Sequence, residues 1–302
     1  VSGEAGQDAR MESVVKIDAV RIKRFGALSP LWISLVILLF DGLLIAVVWV
    51  VVLGLFSVER NDAERNAIER NDKLAIALSE YATRTIESAD VVIRFLIREK
   101  LLAKGTVDLE KFVKDYTIDN AAFVGVVLAD RDGNGLTTTY SSGGKPVQRL
   151  NIADREHFKV HIERDDGQLF VGKPVAGRLT GKTVIPVSRR INRADGSFDG
   201  VAIALIEPGR LTDLLRDAKL GPQDVVSLVG LDGIARARRK GSAVTWGEDL
   251  KMSPLFVAQA KHPVGNIFAV GAIDGLPKYF SYRTLPQYSL MAIVGGAQSD
   301  VM

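Results

Sequence analysis

The chain has 302 residues, the length of two domains rather than one small module, and its 47% hydrophobic and 25% charged residues exclude general disorder. A net charge of +3 lies far below the basic excess of a dedicated nucleic-acid-binding protein, so we expect no nucleic-acid partner. The absence of cysteine excludes a disulfide framework, a thiolate zinc site, an iron–sulfur cluster and a cysteine nucleophile.

A single apolar segment follows residues 1–30. Residues 31–56 read LWISLVILLFDGLLIAVVWVVVLGLF, with Asp41 as their only charge. About 20 apolar helical residues cross the roughly 30 Å hydrocarbon core of a bilayer, so this segment is predicted to be a transmembrane helix. A secretory signal peptide would have a shorter apolar region and a small-residue cleavage site. Asp41 either pairs within a helix bundle or lies near enough to one interface to be hydrated.

Flanking charge predicts the orientation of this helix. Four basic residues precede it, whereas acidic and basic residues are mixed after it. The positive-inside rule therefore places residues 1–30 in the cytoplasm and residues 57–302 in the periplasm, with the helix in the inner membrane. The basic residues are Lys16, Arg21, Lys23 and Arg24.

Residues 57–104 are predicted to form a long stalk helix. They contain neither Gly nor Pro from position 59 onward, and Gly105 marks the expected end. Apolar residues recur three or four positions apart along the helix, as an amphipathic helix requires. This stripe is too long for one module to cover, so we expect a homodimer. The stripe consists of Leu74, Leu78, Tyr81, Ala82, Ala89, Val92, Ile93 and Leu96.

The remainder is predicted to form two strand-rich modules, residues 105–220 and residues 221–302. Each contains β-branched runs interrupted by Asp-Gly turns. A short helix over residues 209–220 would close the first module, and Gly221-Pro222 would mark the boundary. The expected hairpins span residues 123–140, 182–208, 225–238 and 267–296.

Several partial motifs resemble catalytic or ligand-binding sequences but are better explained as ordinary secondary structure. AGRLTGKT (176–183) lacks the first glycine of a P-loop and precedes a strand instead of a helix. DRDGNG (130–135) begins like a calcium loop, but a hairpin turn explains it better. His157 and His161 lack the glutamate of a zincin, so no metal site is assigned. ARARRK (235–240) is interpreted as a solvated strand face. No catalytic residue or cofactor is predicted.

Four segments carry a resemblance to a known family: LNIADREHFKVH (150–161), LFVGKPV (169–175), VIPVSRRI (184–191) and GSFDGVAIALIEP (196–208). Together they resemble the double Cache (PDC, PAS-like) sensor domain of bacterial transmembrane receptors. The resemblance extends over about residues 59–302 and is weaker in the second module. It implies an α+β fold with an N-terminal transmembrane helix, a stalk helix and two PAS-like antiparallel-sheet modules, the membrane-distal one holding the ligand. Such domains commonly precede diguanylate cyclases or histidine kinases.

The amino-acid-binding branch of that family implies a location for the site. Its Arg-x-Trp-Tyr string corresponds to residues 155–158, where the arginine is kept and His157 and Phe158 replace the aromatic pair. The family's later Tyr and Asp fall on Val175 and Gly177, and its strand-end Asp falls on Leu205. The groups that hold an amine are therefore missing. The resemblance implies a small organic anion without an α-amine, or an orphan pocket.

The predicted function is ligand sensing. Arg155 would clamp the anion, with His157 and Phe158 as pocket wall, Tyr140 closing over it and Asp154 positioning the turn. Because neighbouring strand residues alternate, either Arg189 or Arg190 should also face the pocket. The alternatives are a membrane-tethered binding module or enzyme without signalling output, or a structural tether. We expect a second span and a cytoplasmic output domain after Met302. The candidate ligand-binding residues are Tyr140, Asp154, Arg155, His157, Phe158, Val175, Gly177, Ser188, Arg190 and Leu205.

Overall fold

The computed structural model describes residues 30–102, 123–139, 148–178, 181–216, 218 and 220–301. Tyr140 and Gly105 lie outside the described residues. The chain divides into two compact units, Val1–Val58 and Glu59–Met302. The predicted boundary between the two strand-rich modules lies inside the second unit and stays a prediction.

Helix α1 (Pro30–Leu102) begins with the predicted apolar segment. Within the first unit its side chains are exposed from Trp32 to Phe56, apart from a half-buried Val52. The most apolar window of the helix has a mean hydropathy of 2.9 and no buried residue. This segment is thus long and apolar enough to cross a bilayer.

The part of α1 in the second unit is amphipathic, as predicted. Its apolar residues recur every three or four positions and are buried against strands of both sheets described below. We expected a homodimer because this apolar stripe is too long for one module to cover. Both sheets of the same chain cover it, so the dimer stays a prediction without that support. The fully buried members include Leu78, Ala82, Ile86, Ala89, Ile93 and Leu96.

The first sheet is antiparallel, with strand order β3-β2-β1-β7-β6-β4 and β5 also pairing with β6. The predicted turn between β1 and β2 is confirmed, because Asp130 Oδ1 accepts hydrogen bonds from the backbone N–H groups of Asp132 and Asn134. Gly133 there has φ +79°, and a Cβ would lie 2.6 Å from the Ala153 nitrogen. The elements are β1 (Phe123–Asp130), β2 (Asn134–Thr139), β3 (Gln148–Asn151), α2 (Glu156–Glu163), β4 (Phe170–Val171), β5 (Val175–Ala176), β6 (Thr183–Asn192) and β7 (Phe198–Ile206).

The second sheet is also antiparallel, with order β10-β9-β8-β13-β12-β11. The region predicted as one long-looped hairpin, residues 267–296, forms the three-stranded meander β11-β12-β13. The predicted helix at 209–220 is a 3-10 helix, Pro208–Leu215. The elements are β8 (Val225–Gly230), β9 (Ala235–Lys240), β10 (Ala243–Thr245), α3 (Pro254–Lys261), β11 (Val264–Val270), β12 (Pro277–Leu285) and β13 (Leu290–Ala297). Two further 3-10 helices are Pro286–Tyr288 and Gln298–Asp300.

The prediction that residues 235–240 form a solvated face is wrong. They form β9, which lies between β8 and β10, and Arg236, Arg238 and Arg239 are buried. Carboxylates from other elements reach two of these guanidiniums at hydrogen-bond distance: Asp232 pairs with Arg236 and Asp213 with Arg239. Burial of such charges is tolerated because they are paired.

Strand alternation gives the first sheet two apolar faces. In β1, Val126 and Leu128 belong to the core that contains α1, whereas Val127 and Ala129 pack in a separate core with Phe158 of α2. Helix α1 therefore covers one face, and α2 covers part of the other. The candidate site lies on the α2 face.

Candidate functional site

A cavity of about 60 Å³ lies on the α2 face of the first sheet. The strands supply most of its wall, and the segment leading into α2 and the loop after β5 complete it. Most of the lining side chains are apolar. The cavity is lined by Val124, Val127, Leu150, Ile152, Arg155, His157, Val175, Ala176, Gly177, Arg178, Val184, Ile203 and Leu205.

Five of the candidate residues meet at this cavity: Arg155, His157, Val175, Gly177 and Leu205. They come from three separated parts of the chain. The antiparallel pairing of β6 with β5 and β7 brings the parts with Val175 and Leu205 together, and the hydrogen bond from Arg155 to Ala176 joins the third. The other described candidates, Asp154, Phe158, Ser188 and Arg190, lie near the cavity but do not line it.

Arg155 occupies the N-cap position of α2 with an extended backbone, φ −77° and ψ 144°. Its side chain makes no capping bond and instead reaches the cavity, where Nη2 donates to the carbonyl oxygen of Ala176 at 3.2 Å. A guanidinium has five N–H donors in a planar fork. Within the described part of the chain, Ala176 is the only acceptor that the guanidinium contacts, so further donors are available to a ligand.

Arg178 is a second cavity cation that the sequence analysis missed. Its guanidinium donates to the backbone oxygen of Asn151 and, at 2.6 Å, to Asp154 Oδ2. Asp154 thus holds Arg178 beside the cavity, in addition to lying in the turn before α2. The signal in the sequence was present in AGRLTGKT, where the arginine follows Gly177, but the partial match to a P-loop is the more prominent pattern there.

His157 is buried at the cavity wall. Burial, together with the positive charge of Arg155 and the proximity of His161, lowers the pKa of His157 from 6.5 to about 4. The imidazole is therefore neutral at neutral pH. The cavity is then lined by Arg155, by Arg178 paired with Asp154 and by a neutral histidine, and no acidic side chain is among its described lining residues. Such a charge balance suits an anion.

Three of the candidate residues hold α2 in place without lining the cavity. They are Phe158, Ser188 and Arg190. Phe158 packs edge-on against Phe198, with ring centroids 5.6 Å apart. Ser188 Oγ lies 2.9 Å from His161 Nε2. Arg190 donates to the backbone oxygen of His161, and its guanidinium lies 4.8 Å from the centroid of the Phe198 ring.

Strand alternation separates the two arginines of β6, as predicted. Arg190 lies on the α2 face but is engaged by α2 instead of lining the cavity. Arg189 lies on the opposite face, where Nη2 donates to Asp90 Oδ2 of α1 at 2.9 Å and Nε contacts Asp90 Oδ1. In the described part of the chain, no group of three or more potential metal ligands occurs.

The second unit is similar in structure to sensor domains of known receptors. The extracellular domain of rpHK1S-Z16, assigned as a histidine kinase, is 29% identical with a TM-score of 0.67, and the match covers 77% of this chain and 95% of that domain. The periplasmic sensory domain of the Campylobacter jejuni chemoreceptor Tlp1 is 13% identical with a TM-score of 0.59, covering 80% and 98%. The ligand-binding domain of the C. jejuni chemoreceptor Tlp3 in complex with L-valine is 12% identical with a TM-score of 0.53, covering 81% and 98%. No family model and no curated protein matches the chain.

Proposed function

We propose that the second unit, Glu59–Met302, is an extracellular sensor domain of the double Cache type, like those of histidine kinases and chemoreceptors, and that it binds a small monocarboxylate without an α-amine beside Arg155. The observation that carries this proposal is the charge of the cavity. The guanidinium of Arg155 reaches it without a carboxylate partner, and the described lining residues include no carboxylate, whereas Arg178 is paired with Asp154.

The carboxylate end of the ligand has a partner in Arg155. Its Nη2 already points at the Ala176 carbonyl oxygen, and the remaining donors can form a bidentate pair with a carboxylate. Arg178 is paired with Asp154, which largely offsets its charge, so the net positive charge at the cavity comes from Arg155. Neutral His157 adds a polar wall that does not repel an anion.

The rest of the ligand meets apolar side chains. L-valine, named in the Tlp3 complex, carries a carboxylate and an ammonium. In this cavity an ammonium would face residues such as Leu205 and Val175 without a compensating acceptor, at a cost of about 1–3 kcal/mol or more. An acid with a short alkyl chain, such as isovalerate, avoids that cost and buries its methyl groups.

We further propose that α1 relays occupancy of the cavity. In its stalk part, α1 packs on the face of the first sheet opposite the cavity, and the pair Asp90–Arg189 joins the two. A ligand that favours one of two arrangements of the sheet on α1 would shift their populations. With residues 31–56 in the inner membrane and residues 1–30 in the cytoplasm, the signal would reach an output domain such as a diguanylate cyclase or histidine kinase. A tethered binding module without output is the alternative.

A binding experiment tests the ligand proposal. The full 302-residue chain in detergent should unfold at a higher temperature in sodium isovalerate than in sodium chloride of equal ionic strength. Arg155→Ala removes a charge-assisted contact, so its dissociation constant should rise about tenfold to a hundredfold. Arg131→Ala, in the exposed β1–β2 turn, is the matched control and should behave as wild type. Equal stabilisation of wild type and Arg155→Ala would refute the assignment.

The topology has a separate test. A phosphatase that is active only outside the cytoplasm, fused after Met302, should be active in cells. An inactive phosphatase, with an active cytoplasmic reporter at the same position, would place the sensor domain in the cytoplasm and refute the proposed topology.

A further inference from the structure

A second cavity, of about 30 Å³, lies on the outer face of the second sheet, the face covered by α3. It has half the volume of the cavity beside Arg155. Strand alternation aims Ser227 of β8, Arg238 of β9 and Lys278 of β12 at it, and the loop between β11 and β12 adds Asp274. Leu255 and Phe280 form part of its apolar wall.

Two cations that line this cavity, Arg238 and Lys278, and the neighbouring Lys240 converge on a single carboxylate oxygen. Asp274 Oδ2 lies 3.2 Å from Lys278 Nζ, 3.4 Å from Lys240 Nζ and 3.8 Å from Arg238 Nη2. Burial acts to raise the pKa of Asp274, but the hydrogen bond and charge of Lys278 hold it below its ordinary value. The carboxylate is therefore ionised at neutral pH, and the cluster keeps an excess of two positive charges.

Two of these three cations are poorly exposed to solvent, whereas the Lys240 side chain is 30% exposed. Lys278 is fully buried and Arg238 is 8% exposed. Lys278 is satisfied, since Nζ also donates to the backbone oxygen of Gln223. A buried charge without a close counter-charge is expensive, because the protein interior replaces the favourable hydration of the ion.

Arg238 is the cation that lacks a partner. At 3.8 Å, its contact with Asp274 is longer than a hydrogen bond, and its guanidinium makes no hydrogen bond within the described part of the chain. The other two buried arginines of β9 differ. Arg236 donates to both Asp232 oxygens at 2.8 and 3.1 Å, and Arg239 donates to Asp213 at 2.9 Å.

We propose that this cavity is a second anion site, which binds a small carboxylate of the size of acetate through the guanidinium of Arg238. The carboxylate would form a bidentate pair with Arg238 and offset the charge excess beside Lys278. The hydroxyl groups of Ser227 and Ser253 line the same cavity and can donate to the anion, while its methyl group meets Leu255 and Phe280. The smaller volume favours acetate over longer acids.

This site does not depend on the cavity beside Arg155, so the two can be separated. The probe is sodium acetate, compared with sodium chloride at equal ionic strength, and the readout is thermal unfolding of the full 302-residue chain in detergent. In the Arg155→Ala chain, acetate should still raise the unfolding temperature. Adding Arg238→Met should raise the acetate concentration of half-maximal effect at least about tenfold.

Several results would overturn this second site while leaving the first intact. They are an unchanged response to acetate in the Arg155→Ala/Arg238→Met chain, no response in the Arg155→Ala chain, and equal stabilisation by chloride and acetate. Conversely, Arg238→Met could abolish the acetate response while Arg155→Ala leaves the isovalerate response unchanged. That combination would support the second site and refute the first.

The unliganded protein provides a second readout. If Arg238 is an uncompensated cation, Arg238→Met removes repulsion and should unfold in chloride at a temperature equal to or above that of wild type. If Arg238 serves only as an ion-pair partner of Asp274, the same substitution should lower the unfolding temperature. A lower temperature would therefore overturn the proposal.

Discussion

The ion pair between Asp90 of α1 and Arg189 of β6 should contribute strongly to stability. The two side chains are 17% and 16% exposed, and Arg189 contacts both carboxylate oxygens, one of them at 2.9 Å. Burial acts to raise the pKa of Asp90, but the hydrogen bonds from Arg189 and Arg94 outweigh it and hold that pKa below its ordinary value. Asp90 is therefore ionised whenever the domain is folded near neutral pH.

Asp90→Ala would leave the Arg189 guanidinium partly buried and without its carboxylate. Breaking a fully buried pair costs about 3–5 kcal/mol. The residual exposure of this pair, and the bond that Arg189 keeps to the Gly167 oxygen, reduce the expected loss to about 2–3 kcal/mol in the free energy of unfolding.

Denaturant unfolding of the full chain, followed by far-ultraviolet circular dichroism, measures this loss. Glu80→Ala is the control, because Glu80 is 62% exposed and lies 3.8 Å from Arg84, so its removal should cost less than about 0.5 kcal/mol. Asp90→Ala/Arg189→Met removes both charges and should recover much of the stability. An Asp90→Ala chain within about 0.5 kcal/mol of wild type, on the scale of a surface pair, would refute this reasoning.

Two further predictions concern the cavity and its helix. Burial lowers the pKa values of both His157 and His161 from 6.5 to about 4. Between these two pH values the unfolded chain binds protons that the folded chain does not. The free energy of unfolding should therefore decrease as the pH falls from 6.5 to 4, by on the order of 3 kcal/mol for each histidine. Denaturant titrations across about pH 4–7 measure this pH dependence of stability. His161→Gln should flatten it, whereas His262→Gln, at an exposed site, should not. An equal slope in the wild type and both variants would contradict this prediction. Leu205→Asp should weaken isovalerate binding by repulsion and improve the relative binding of L-valine, with Leu205→Asn as the neutral control in calorimetric titrations; unchanged isovalerate affinity would place Leu205 outside the site.

The hairpins and the stalk helix could be predicted because short stretches of sequence determine them. The Asp-Gly turns fix the hairpins, because an aspartate side chain satisfies nearby backbone donors and the glycine adopts positive φ, as at Asp195 and Gly196. The absence of Gly and Pro over residues 59–102 predicted the stalk helix. The family resemblance pointed to Arg155 and His157, which line the cavity, because both lie in one short string at the start of α2.

Long-range pairing explains what the sequence analysis missed. Arg178 belongs to the cavity because the loop after β5 folds back onto Asp154, 24 positions earlier in the chain. The arginines of residues 235–240 appeared solvated because a carboxylate partner such as Asp213, which pairs with Arg239, is distant in sequence. Alternation in β6 correctly separated Arg189 from Arg190, but it could not predict that α2 would engage Arg190.

The relative affinity of one matched pair of ligands tests the proposed anion specificity most directly. Isovalerate and L-valine differ only in the α-amine, and isothermal titration of the full chain with each compares the two. Because the cavity offers the Arg155 guanidinium and, among its described lining residues, no acidic partner for an ammonium, isovalerate should bind at least about tenfold more tightly than L-valine. If L-valine binds as tightly as isovalerate, or more tightly, the cavity beside Arg155 recognises amino acids and its proposed specificity for an anion without an α-amine is wrong.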